Sequence, residues 1–250
     1  MLKLLQKQEN VLIQFCEKDV FGTRISAYYS TYGIELPFAL FYIQENDEGV
    51  TAAICKIDEA ITLCCEENAD FEELAEFLNA IGYESIMCSI DVCDQLKSEP
   101  KKTGSVVEFK GSLKTSQKCD NILTSGFDLT AIYDILKHSD FAGLSERLPW
   151  LSDVSIRVKM GTATAIAAGE NGRAVACAMI LFETGRAALI GSVATLPEFR
   201  GKGFAGELVT FLAAGIAAKN KRAELLCAEG SIIEFYNRLG FIRTGGWALV

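Results

Sequence analysis

Apolar residues recur at helical spacing over residues 1–35, with Leu4, Leu5, Val11, Leu12, Phe15 and Cys16 on the inner faces, and this predicts two or three helices. From Phe38 the period drops to two. Strands are predicted over 38–45, 50–57 and 61–65, separated by the turn Asn46-Asp47-Glu48-Gly49 and by Asp58-Glu59. Residues 70–81 return to helical spacing, opened by Asp70 with Glu73 three residues on and closed by Gly82, and a strand follows over 85–89.

The same order of strand, strand, strand, helix, strand recurs later. Strands are predicted over 162–168, 174–183 and 187–195, with turns at Glu170-Asn171-Gly172 and Thr184-Gly185, then a helix over 203–218 and a strand over 224–228. This predicts a degenerate internal repeat of two α/β domains with mixed sheets, residues 1–126 and 127–250. Between the runs, residues 90–126 lose their periodicity apart from a short strand over 106–109, and 111–126 read as a connector. A helix over 128–137, capped by Asp128, precedes a segment over 146–160 that carries Trp150, Asp153 and Arg157.

Half of the 250 residues are hydrophobic, enough for two cores. No apolar run approaches a membrane-spanning length, and residues 1–10 lack the apolar core of a signal peptide, so the expectation is a soluble, cytoplasmic protein. Nine cysteines without a Cys-x-x-Cys pair and a single histidine give little material for a metal site, and the thiols read as reduced and buried. The net charge of −9 is uneven: residues 1–126 hold 11 Lys and Arg against 21 Asp and Glu, whereas residues 127–250 hold 13 against 12. The acidic first half argues against nucleic acid and anionic membrane as partners. It either attracts a cationic amine or a basic partner, or is simply a solvated face; oligomerisation stays open.

The chemistry concentrates in residues 188–206, where an apolar strand is stopped by Pro197 and the cluster Arg200, Gly201, Lys202, Gly203 stands where the next helix begins. The first N–H groups of a helix lack intrahelical partners and carry the positive end of the dipole, glycines let the backbone approach an anion, and two cations add charge. Phosphate is the ligand this arrangement suits. A Walker loop is excluded, because position 196 is Leu and position 203 is Gly where that motif needs Gly and Ser or Thr. Residues 201–206 match the dinucleotide fingerprint, with Glu224 beyond it, but too little chain follows for the remaining strand and helix units.

The third pattern, Arg/Gln-x-x-Gly-x-Gly/Ala, is met by Arg200, Gly203 and Ala205 and resembles the pyrophosphate-binding motif of the GNAT superfamily of acyl-coenzyme A dependent N-acyltransferases. Residues 193–195 resemble that family's cofactor-pairing strand, and Ile-Glu-Phe-Tyr-Asn-Arg-Leu-Gly-Phe over 233–241 resembles its late Tyr-x-x-x-Gly-Phe signature. The resemblance covers roughly residues 127–250, and the first half reads as the same fold without its motif: Cys64-Cys65-Glu66-Glu67-Asn68-Ala69-Asp70 puts carboxylates where a phosphate would sit.

The resemblance implies a GNAT N-acetyltransferase that takes an acyl group from acetyl-coenzyme A to an amine of a small molecule or peptide. Val193, Ala194 and Thr195 would pair with the pantetheine arm, and Arg200, Gly201, Lys202, Gly203, Phe204 and Ala205 would hold the pyrophosphate. The N–H of Val193 would face the developing oxyanion, and Tyr236 would protonate the departing thiolate, a phenol and a thiol being of similar acidity. By the resemblance Trp150, Asp153 and Arg157, with Arg157 foremost, and Glu229 are substrate-contact candidates. Glu229 stands where many relatives have Asn, and it reads as a base, an amine anchor or a solvated carboxylate. The catalytic Glu that many relatives carry on the central strand is Leu189 here, followed by Gly191 and Ser192, and Glu183 is one carboxylate that could substitute. The missing base leaves a second reading, a coenzyme A-binding or sensory module that performs no transfer.

Overall fold

The computed structural model describes residues 1–7, 10–111, 122–125, 128–170 and 172–250. In chain order the elements are β1 (Leu2–Leu4), α1 (Asn10–Phe15), α2 (Val20–Tyr32), β2 (Ala39–Asn46), β3 (Gly49–Ile57), β4 (Ala60–Cys65), α3 (Phe71–Ile81), β5 (Ser85–Ser89), α4 (Ile90–Gln95) and β6 (Lys102–Phe109). They continue with β7 (Ile122–Leu123), α5 (Leu129–His138), α6 (Arg147–Lys159), β8 (Thr164–Glu170), β9 (Arg173–Glu183), β10 (Ala187–Thr195), a 3-10 turn (Pro197–Phe199), α7 (Phe204–Ala218), β11 (Arg222–Cys227), α8 (Ser231–Arg238) and β12 (Phe241–Leu249). Two compact units result: Met1–Val107 with Leu226–Ile233 and Arg243–Val250, and Glu108–Leu225 with Glu234–Ile242. The boundary expected near 126, most of the connector over 111–126, Asn171 of the expected turn and Cys119 lie outside the described residues.

In the first unit the strand order is β1-β2-β3-β4-β5-β12-β6. Antiparallel pairing joins β2, β3 and β4, and β5 runs parallel to β4. From Arg243 onward the polypeptide returns to this unit, pairing Trp247 with Ser89 and Leu249 with Met87 across β5. One face is sealed by α3, whose Leu74 and Leu78 meet Ile54, Leu63 and Ile86, each fully buried apolar side chain contributing about 1.5–3 kcal/mol. The helical spacing over 1–35 misled at its start. Residues 2–4 form an edge strand with Leu2 opposite Gln44, and Leu4 is exposed while Leu5, Leu12 and Cys16 are buried. The aperiodic stretch after Ser89 holds a short helix, α4, capped by the Ser89 hydroxyl, which accepts from Val92 N–H at 3.1 Å.

In the second unit the order is β11-β10-β9-β8-β7. Helices α5 and α6 cover one face, where Ile132, Leu136 and Val154 pack on Cys177, Met179, Ala194 and Leu196. Asp128 caps α5 through Thr130 N–H at 3.0 Å, as the sequence predicts. Helix α7 contributes the buried Leu208, Val209, Leu212 and Ile216. No helix among the described residues is long and apolar enough to cross a membrane.

Candidate functional site

β10 pairs regularly with β11 but slips twice against β9, first between Leu189 and Ile190. Its parallel ladder with β11 runs from Ala187↔Arg222 to Ile190↔Leu225 and ends there. With β9 the register slips between Gly191 and Ala194 before resuming at Ala194↔Cys177 and Thr195↔Ala176. Ser192 sits in the slip with φ +48°, and its carbonyl accepts from the Cys177 thiol at 3.4 Å. A bulge of this kind twists a strand and re-aims the side chains beyond it. Val193 and Thr195 come out half-buried, whereas Ala194 turns inward against α5.

The chain then passes through the 3-10 turn into Arg200-Gly201-Lys202-Gly203. Gly201 and Gly203 have φ of +79° and +91°, conformations that side chains disfavour, and a Cβ at either position would meet nothing within 4 Å. Gly203 is the N-cap of α7 and offers no side-chain acceptor, so no cap side chain takes up the first N–H groups of the helix. Phe204 is buried and anchors the helix start, while Ala205 is half-buried. Arg200 braces the turn from outside: Nε donates to Thr195 O and Nη2 to Ser139 O, both at 3.2 Å. The Ser139 hydroxyl is buried and makes no hydrogen bond among the described residues, an unsatisfied polar group at the edge of the turn. Lys202 bonds both Glu170 carboxylate oxygens at 3.1 Å and lies over the Phe199 ring. An uncapped helix start, two adjacent cations and an unsatisfied hydroxyl make a turn whose chemistry suits an anion. Nothing in the sequence pointed to Ser139, which lies at the far end of α5, and Glu170 was visible there only as a turn residue.

Tyr236 lies on α8, 7% exposed, its ring edge-on to Phe235 and Phe241 at 5.1 and 5.8 Å. Arg157 on α6 is 5% exposed, and its guanidinium chelates Asp153, reaches Leu181 O at 2.5 Å and covers the Phe182 ring. Glu229 belongs to the first unit, where it accepts from Ser105 Oγ at 2.6 Å and lies 3.7 Å from Arg243. Leu189 is buried. Glu183 is drawn to Lys221 at 2.8 Å and Lys219 at 3.2 Å; burial pushes its carboxyl up, but the two lysines outweigh this and hold it below its ordinary value. The described cysteines are free thiols. Burial pushes Cys177 up to about 12, which removes the thiolate that nucleophilic chemistry needs.

Residues 162–243 match the family described as the acetyltransferase (GNAT) domain. That stretch of the chain is similar to a GNAT domain. No curated protein matches it. Among solved structures, a GNAT-family acetyltransferase from Colwellia psychrerythraea is 12% identical with a TM-score of 0.58, the match covering 100% of this chain and 98% of that one. A GCN5-related N-acetyltransferase from Sphaerobacter thermophilus is 16% identical with a TM-score of 0.61, covering 96% and 88%. A tandem GNAT protein from the clavulanic acid biosynthesis pathway is 10% identical with a TM-score of 0.60, covering 100% and 97%. Such identities speak for fold, and the mixed α/β GNAT fold accordingly extends over the first half of the chain as well as the half that carries the motif. The family whose model matches residues 162–243 is one of acetyltransferases.

Proposed function

We propose that the chain is an acetyl-coenzyme A dependent N-acetyltransferase acting on an amine of a small molecule or peptide, with residues 1–126 as a motif-free GNAT-like domain and 127–250 as the acyltransferase domain. The observation that carries the reading is the start of α7, where Gly201 and Gly203 turn the backbone through positive φ and no side chain caps the helix beside Arg200 and Lys202. Acetyl-coenzyme A supplies the activated thioester. Val193, Ala194 and Thr195 pair with its pantetheine arm as an added strand. The turn from Arg200 through Ala205 binds the pyrophosphate by backbone N–H groups and charge. Val193 N–H stabilises negative charge on the acyl oxygen, and Tyr236 gives a proton to the departing sulfur. On the acceptor side, Arg157 acts by holding Asp153 in place, and Glu229 is carried as an amine contact by the resemblance alone.

Titration calorimetry with acetyl-coenzyme A tests the donor. The wild type binds, and Arg200→Glu combined with Gly203→Val abolishes binding, since one change reverses a charge and the other forces a β-branched residue into positive φ. Binding that survives the double variant overturns the assignment. The second reading, a coenzyme A-binding or sensory module, draws on the buried Leu189 in place of a central-strand carboxylate. Release of free thiol with any amine excludes it.

A further inference from the structure

We infer that the first unit binds a zwitterionic amino acid with an apolar side chain, in a cavity at the end of α2. The cavity has a volume of about 520 Å³, which suits a small molecule, and its lining includes Lys7, Tyr32, Gly33, Ile34, Glu35 and Leu36. All of these residues belong to the first unit and none to the turn at 200–205, so the inference stands apart from the acyltransferase reading. Local structure sets the place. The chain leaves β1 once Leu5 N–H has donated to Phe41 O, and α2 stops at Gly33, whose φ of +64° breaks the helix while its N–H closes onto Tyr29 O. A Cβ at Gly33 would meet nothing within 4 Å, as expected of a residue on a cavity wall.

Three features of the lining select the ligand. Lys7 and Glu35 bring opposite charges to one cavity, yet among the described residues neither makes an ion pair or a hydrogen bond, with the other or with any third group. A ligand that carries both an ammonium and a carboxylate satisfies the two at once. Helix α2 adds a direction, because its 13 residues end without a basic side chain in the last turn and the negative end of its dipole is left uncompensated where Gly33 to Leu36 begin. The ligand ammonium belongs there, beside Glu35, and its carboxylate at Lys7. The rest of the wall is apolar. Ile34 is half-buried, Leu36 is 38% exposed, and Tyr32 stacks on Tyr28 at 6.0 Å and meets Phe38, 37% exposed, edge-on at 5.2 Å. Large apolar side chains gathered at one mouth receive an apolar body, which a sugar or a bare anion does not have.

Titration calorimetry and saturation-transfer NMR on the full chain test this with L-phenylalanine and L-leucine against three fragments. Phenethylamine lacks the carboxylate, 3-phenylpropionate lacks the ammonium, and glycine lacks the apolar body. L-phenylalanine or L-leucine is expected to bind with a Kd below about 1 mM, and each fragment about tenfold or more weaker. Charge variants separate the two ends of the ligand. Glu35→Gln is expected to weaken L-phenylalanine and phenethylamine about tenfold while leaving 3-phenylpropionate unchanged, and Lys7→Gln to weaken L-phenylalanine and 3-phenylpropionate while leaving phenethylamine unchanged. Both side chains are exposed, so the melting profiles of the variants should match that of wild type. No binding of either amino acid at about 10 mM overturns the inference. So does a fragment that binds as tightly as L-phenylalanine, or an affinity for L-phenylalanine within about threefold of wild type in either variant, the result expected of two solvated surface charges.

Discussion

Helices α3 and α7 each follow the third strand of a strand-strand-strand-helix-strand run, and their first turns treat the same backbone dipole in opposite ways. In α3 the Asp70 carboxylate accepts from Glu73 N–H at 3.0 Å, and buried Gln44 takes up the N–H and C=O of Asp70 while its remaining donor and acceptor go to Glu73 and Thr51. Glu73 in turn accepts from Leu2 N–H at 3.0 Å. That helix end satisfies itself. In α7 the cap is Gly203, no side chain closes the turn, and the flanking charges are Arg200 and Lys202. On the proposed function the start of α7 is an anion site because its own chain leaves it uncapped, and the identity of the cap residue decides which outcome results.

The most damaging way to break this comparison is Gly203→Asp, which puts a carboxylate at the cap of α7, though at φ +91° where Asp70 of α3 has −80°, so Gly203→Asn serves as the control for backbone strain. The carboxylate takes the phosphate seat, and acetyl-coenzyme A affinity should fall about 100-fold or more, the scale of two lost charge-assisted bonds. Calorimetric affinity within a few-fold of wild type would show that the open cap is not what matters. The reverse change, Asp70→Ala, strips the cap from α3. It should cost about 1 kcal/mol, read as a drop of a few degrees in Tm, with acetyl-coenzyme A affinity unchanged.

A smaller effect sharpens the picture at Lys202. Glu170→Gln frees that ammonium from an exposed pair, and acetyl-coenzyme A should bind about two- to fivefold tighter at low salt, the gain fading at high salt. The smallest effect concerns the other ends of the two helices. In α3 the final carbonyls of Ile81 and Gly82 accept from Lys56 at 3.0 Å, whereas beyond α7 Lys219 and Lys221 turn to Glu183. Burial raises the Glu183 carboxyl, but the lysines bring it below its ordinary 4.5 in the folded protein. Its contribution is therefore fully present above that value and is lost as pH falls through the lower folded one. Glu183→Gln should lower Tm slightly at neutral pH, and melts in acid should converge with wild type.

What the sequence discloses and what it hides divide along the range of the interactions. Alternation between Phe38 and Cys65 and between Thr162 and Thr195 is set by burial of one face, so β2 to β4 and β8 to β10 are readable within a few residues. Caps are local as well, and Asp70 and Asp128 mark α3 and α5 correctly. The glycine and cation pattern at 200–203 is equally local, and it led to the open turn. Edge strand β1 is a strand only because β2 is there to pair with it, and its Leu4 and Leu5 imitate helical spacing. Ser89 carried a cap signal for α4 that the aperiodic residues after it obscured. The partners of Arg200 and Lys202, namely Ser139 and Glu170, come from distant segments.

The return of Arg243–Val250 to the first unit has a consequence for biosynthesis. That unit's sheet places β12 between β5 and β6, so the gap stays open until residues 243–250 have left the ribosome. During the interval the β5 edge is an unpaired template, able to accept a strand from another nascent copy. Closure by so distant a segment gives the first unit long-range contacts of the kind that slow folding.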